Sequence, residues 1–144
     1  LMIKDALIKS TQIFTKEVLD VETSIFESCP LYHAYSASIE VYGDVNYHIA
    51  LYIPEKSLTK MAFLFLFEEN PDTETLEDLI KEITNIIVGK SKMYATDNGI
   101  NYKIKTPQFV GSNIKVEAND FDLNFTFEDE IFSIIGKAFN SHKV

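Results

Sequence analysis

The spacing of apolar residues changes several times along this chain, and each change marks an element. Ile3, Leu7, Phe14, Val18 and Val21 recur at intervals of three, four and seven, which predicts an amphipathic helix over roughly residues 3–20. Two β-rich runs follow in "YSASIEVYGDVNYHIALYIP" and meet at Gly43–Asp44, the pattern of a hairpin. Pro54–Glu55 then opens a second helix with Leu58, Met61, Ala62, Phe65 and Leu66 along one stripe. "EENPDT" breaks the chain and offers Asp72 or Thr73 as a cap. Leu76, Leu79, Ile80, Ile83, Ile86 and Ile87 carry a long third helix until Asp97–Asn98–Gly99 stops it. Beyond that point "NYKIKTPQFVG", "SNIKVEA" and "FDLNFTFED" alternate as strands do, with Leu123, Phe125 and Phe127 on one face. "EIFSIIGKAF" fits a closing helix or a last strand equally well. The order is helix, two strands, two helices, then strands. It predicts a single α+β domain over residues 1–144, one layer of sheet covered by helices.

Composition narrows the function classes. The 144 residues suit one hydrophobic core, and 46% hydrophobic content is ordinary for a globular domain. The densest apolar run, "MAFLFLF", is far short of a membrane span, and no cleavable signal pattern is present. A single cysteine, Cys29, rules out an internal disulfide and points to a reducing, cytoplasmic setting. Net charge is −9 without a basic patch, which argues against nucleic acid or an anionic membrane as partner.

Common catalytic motifs are missing from the sequence: no G-x-S-x-G, P-loop, G-x-G-x-x-G or H-E-x-x-H occurs. His33, His48 and His142 have no ligand-like spacing, so no metal site is expected. Cys29 before Pro30 reads as a structural thiol. Phe63, Phe65 and Phe67 read as core, and "FEEN" and "FEDE" as solvated turns.

The third helix is different. In "KEITNIIVGKSK" Glu82, Asn85 and Gly89 follow at three and four residues, on a side that the isoleucines do not share. Asp78 and Lys92 continue the same line. A carboxylate and a carboxamide are thus presented together on an exposed rib, and Gly89 leaves a notch one turn beyond the amide. The glycine itself should cost about 1 kcal/mol against alanine. This geometry suits something brought in from outside rather than a pocket. In a chain with 13 Glu and 9 Asn, about one Glu-x-x-Asn is expected by chance, so the motif needs its context.

That context is specific. "EITNIIVGKSK" resembles the signature helix of the CheC/CheX family of chemotaxis phosphatases, where glycine follows Glu-x-x-Asn after four residues. "YGDVNYHIALYIPEKSLTKMAFLFL" is similar to the family's strand pair leading through Pro-Glu into a helix, and "NGINYKIKTPQFVGS" to its strand, Thr-Pro and glycine. The resemblance runs over roughly residues 3–115. It departs from the family pattern at "GKSK", where small or polar residues often follow the glycine. The first helix offers only "EVLD", Glu17 to Asp20, in place of a second Glu-x-x-Asn, which makes the chain CheX-like with one site.

The resemblance implies a CheC-like fold, a mostly antiparallel sheet with long helices on one face. It implies hydrolysis of the phosphoaspartate of a CheY-type response regulator. Asn85 would orient the attacking water and Glu82 would dock to a lysine of the regulator; Gly89, Asp78 and Lys92 would line the contact. No cofactor of its own is implied, since Mg²⁺ would sit in the regulator. A homodimer is the further expectation. The competing expectation is a module that binds a response regulator or a flagellar-switch component without catalysis.

Overall fold

The computed structural model describes residues 2–26 and 31–140. Helix α1 (Met2–Glu17) is followed by strands β1 (Ile25–Phe26), β2 (His33–Gly43) and β3 (Tyr47–Ile53). Helices α2 (Glu55–Leu66) and α3 (Thr73–Asp97) come next, then β4 (Tyr102–Ile104), β5 (Gln108–Lys115), β6 (Phe121–Phe127) and β7 (Glu130–Ala138). All strand pairs are antiparallel, in the order β1-β6-β7-β3-β2-β4, with β5 also paired to β2.

Alternation along β2 and β3 decides which face receives the helices. Tyr35, Ala37, Ile39 and Val41 and then Ile49, Leu51 and Ile53 point into the main core. There they join Ile3, Leu7 and Phe14 of α1, Leu58 and Met61 of α2, and the isoleucines of α3. α1 lies against α3, and the Ser10 hydroxyl donates to the Ile87 carbonyl at 2.6 Å. A smaller cluster of Ala34, Val116 and Ile135, with Tyr32 and Tyr52 beside it, covers part of the other face.

The sequence left residues 130–139 undecided, and they form the strand β7. β7 lies between β3 and β6, and Phe132 through Gly136 are buried on both faces. A strand apolar on both sides loses its two-residue alternation, which is why the pattern was ambiguous. The stripe predicted for α2 is corrected at its end. Leu58, Met61 and Ala62 are buried and Phe65 packs on Phe14, but Leu66 is exposed. Phe63 and Phe67, expected in the core, are also exposed, Phe67 by 83%. Val18 likewise is 37% exposed, because α1 has already ended at Glu17. Among the described residues no helix is long and apolar enough to cross a membrane, and no cluster of three His, Cys, Asp or Glu is arranged to hold a metal. Cys29, Pro30 and His142 lie outside the described residues.

One edge of the sheet is interrupted. β4 pairs with Val41–Gly43 of β2, and β5 pairs with the stretch from His33 to Ser38 of the same strand. Lys105, Thr106 and Pro107 stand between them. Pro107 has no N–H to give to a ladder, so the edge opens here.

Candidate functional site

The site rests on α3, which begins and ends where its sequence says it should. The Asp72 carboxylate accepts the Thr75 N–H at 2.8 Å, satisfying one of the free donors of the first turn. This bond lowers the Asp72 pKa below its ordinary value. At the other end Asn98 caps the helix and Gly99 takes φ 82°, the left-handed conformation that glycine adopts without strain.

α3 is amphipathic over its whole length. Leu76, Leu79, Ile80, Ile83, Ile87, Val88 and Ala95 are buried. Thr84 and Ser91 are buried too, and their hydroxyls bond back to the carbonyls of Ile80 and Val88. Ser91 Oγ also meets the Tyr102 hydroxyl at 2.8 Å, tying α3 to β4. Burial raises the Tyr102 pKa, so the phenol stays neutral in this contact.

At 100° per residue, Asp78, Glu82, Asn85, Gly89 and Lys92 fall within about 80° of the helix circumference. The structure leaves Glu82 and Asn85 exposed, one turn apart. Lys81, the nearest cation in sequence, pairs with Asp78 at 3.6 Å rather than with Glu82. Among the described residues, neither Glu82 nor Asn85 has a side-chain hydrogen bond or ion pair to another residue. Both can therefore engage another molecule without first breaking an internal contact. Gly89 is half-buried beside β4, and a Cβ placed on it would meet only Ile104 Cδ1, at 3.8 Å. Neither a special backbone conformation nor tight packing requires glycine at this position.

The expectation of a bare rib without a pocket is corrected. Asn85 forms part of the wall of a groove of about 810 Å³. This groove runs through the break at Lys105–Thr106–Pro107 to Glu40 and Tyr42 of β2 and His48 of β3, whose side chains alternate with the core residues and so lie on the sheet face away from α3. The groove exists because the edge strand opens opposite Asn85. Lys92 borders a separate hollow with Tyr42, Gly43 and Lys103, and Asp78 is engaged by Lys81. The structure thus groups Glu82, Asn85 and Gly89, and sets Asp78 and Lys92 at the two ends of the line. Sequence spacing does not bring Glu40, His48 and Lys105 together with Asn85. The only hint was the Thr-Pro pair that interrupts an otherwise strand-like run.

The first helix carries no second site. Glu17 is its last residue, and Asp20 lies beyond it at φ 57°. The pair cannot share a helical face as Glu82 and Asn85 do.

Comparison with known proteins agrees with this architecture. The chain resembles CheX from Vibrio vulnificus, with 18% identity over 94% of this chain and 95% of that one and a TM-score of 0.82. CheX from Desulfovibrio desulfuricans matches at 14% identity over 96% and 100%, with a TM-score of 0.80. The CheX–CheY–BeF3–Mg complex from Borrelia burgdorferi matches at 18% identity over 94% and 97%, with a TM-score of 0.69. At these identities the likeness establishes the CheC-like fold. No curated protein matches the chain by sequence. The family profile described as "Chemotaxis phosphatase CheX" matches residues 35–128, well over half of the chain and spanning β2 through β6. The chain belongs to the CheX family of chemotaxis phosphatases.

Proposed function

We propose that this protein hydrolyses the phosphoaspartate of a CheY-type response regulator, with Asn85 and Glu82 acting together from α3. The observation that carries the reading is the exposed pair itself, a carboxamide and a carboxylate one turn apart on a capped helix, without internal partners among the described residues. A CheX of the same fold is known in complex with CheY, BeF3 and Mg.

An acyl phosphate already has a good leaving group. Its hydrolysis is limited by placing water in line with the phosphorus and by stabilising charge on the phosphoryl oxygens. The regulator would supply Mg²⁺ and a lysine for that charge. Asn85 would reach the phosphoryl group and hold the attacking water through its amide. Glu82 would pair with the regulator's lysine and fix the register of docking. The lone pairs of a carboxamide orient water without taking a proton, so no titrating base is required on this chain.

The test is a phosphate-release time course with a phosphorylated cognate regulator, with and without the protein. Asn85→Ala should reduce the accelerated release by about a hundredfold or more while binding persists. Glu82→Ala should weaken the complex. Unchanged release by Asn85→Ala would refute the water-positioning role, and a normal Kd for Glu82→Ala would refute the docking role. If the wild type binds the phosphorylated regulator and leaves its decay rate alone, the protein is a binding module.

A further inference from the structure

The groove beside Asn85 carries charges that the Glu82–Asn85 mechanism does not use. Its far end lies beyond the edge break, on the sheet face turned away from the helices. Glu40 and His48 are register partners across β2 and β3, with His48 Nδ1 at 3.8 Å from Glu40 Oε2. Lys105 enters from the break in the edge strand. Its backbone N–H donates to the Glu40 carbonyl at 2.9 Å, its Nζ lies 3.5 Å from Glu40 Oε1, and its side chain passes over the Tyr42 ring at 5.8 Å from the centroid. Lys105 is therefore held against Glu40 by both main chain and side chain, yet its side chain remains 58% exposed.

We infer that Lys105 is a docking residue for the phosphorylated regulator, receiving an acidic group on the regulator's surface beside the phosphorylated aspartate. This rests on the reading of Asn85 as the group that reaches the phosphoryl. Asn85 and Lys105 line the same groove, and about 810 Å³ admits a partner's loop and not merely a phosphate ion. A molecule that brings its phosphoryl group to the exposed Asn85 can lay neighbouring surface into this space.

Charge supports the assignment. The chain as a whole carries a net charge of −9, so an anionic partner meets long-range repulsion that local cations must offset. Among the residues that line the groove, Lys105 is the one with a permanent positive charge. Glu40 lines the same groove and balances this charge, so Lys105 acts as a directed short-range contact and not through a net positive field. The contacts to Glu40 also orient the lysine beforehand, which reduces the rotamer entropy lost on docking. Lys105 touches the partner away from the reacting atoms, so it acts on affinity and not on the chemical step.

The experiment uses the full chain and a cognate regulator loaded with beryllofluoride and Mg²⁺, with Kd measured by fluorescence titration at low and moderate salt. Turnover of the phosphorylated regulator is followed in parallel. Lys105→Gln should raise Kd and KM by about three- to tenfold, flatten the salt dependence and leave kcat unchanged. Lys105→Arg, which keeps the charge, should stay within about twofold of wild type. An unchanged Kd in Lys105→Gln overturns the inference, and so does a loss in kcat alone. Equal weakening by Gln and Arg with the salt dependence intact also overturns it, because that is the signature of local packing. The two readings fail separately. If Asn85→Ala turns over normally, the catalytic role falls while the Lys105 titration still decides docking. If Asn85→Ala is inactive and Lys105→Gln binds as wild type, only the docking inference falls.

Discussion

Gly89 separates helix stability from function, because the helix would be better off without it. A glycine inside a helix costs about 1 kcal/mol relative to alanine. At this position the new Cβ would meet Ile104 Cδ1 at 3.8 Å, ordinary van der Waals contact, and nothing else within 4 Å. That contact adds only about 0.1–0.2 kcal/mol, so almost the whole propensity gain should be realised. Gly89→Ala should therefore stabilise the protein by about 1 kcal/mol and raise Tm by roughly 3–5 °C. Gly89→Leu also favours the helix but fills the notch one turn beyond Asn85. Its stability should stay within about 1 kcal/mol of wild type while regulator binding weakens about tenfold. Thermal and urea unfolding measure the first effect, and titration with the beryllofluoride-loaded regulator the second. Destabilisation by Gly89→Ala would show that packing against β4 requires the glycine. A Gly89→Leu variant that binds and turns over as wild type would refute the notch.

Two further outcomes test the frame that holds the site. Gly136 of β7 is the register partner of Phe121, and a Cβ on it would overlap the Phe121 ring, with Cδ2 at 2.7 Å. The ring is also held edge-on by Tyr47, so Gly136→Ala should cost about 1–3 kcal/mol, seen as a lower urea midpoint with unchanged slope; an unshifted midpoint would show that the ring moves freely. Asp72 has a lowered pKa because it accepts the Thr75 N–H, so its capping contribution is complete above its ordinary value of 3.8 and is lost as pH falls from there through the lower folded value. Asp72→Ala should be less stable than wild type at neutral pH and converge with it in strong acid; a difference independent of pH would refute the charge-assisted cap.

The parts of this protein that were legible in its sequence are those where one face meets water. α3 shows its 3-4 rhythm because Leu76, Leu79, Ile80, Ile83 and Ile87 are buried while Glu82 and Asn85 are exposed. β6 shows its alternation because Phe121, Leu123, Phe125 and Phe127 enter the core while the other face carries the polar Asp122, Asn124 and Thr126, of which Asn124 is buried and hydrogen-bonded. β7 gave no such contrast because both of its sides are covered. The exposed Phe63 and Phe67 misled in the opposite direction. Their side-chain type suggests burial, but Phe67 stands at φ 61° where α2 ends and turns away from the core.

The candidate site divides along the same line. Glu82, Asn85 and Gly89 are local to one helix, so residue spacing alone puts them together. The groove is not local: Asn85 shares it with Glu40 and Lys105 only because β2 pairs with both β4 and β5 and the edge opens between them. Spacing along the chain carries no record of that pairing. The consequence is mechanistic. A helix face alone would position water on any phosphoryl group able to reach it, whereas a groove with its own fixed cation restricts which surface can accompany the phosphate. If Lys105 acts as inferred, α3 carries the catalytic Asn85 together with the docking charge of Glu82, and the sheet edge adds a docking contact that the chemical step does not use. The two can then be changed independently, Asn85 through kcat and Lys105 through Kd.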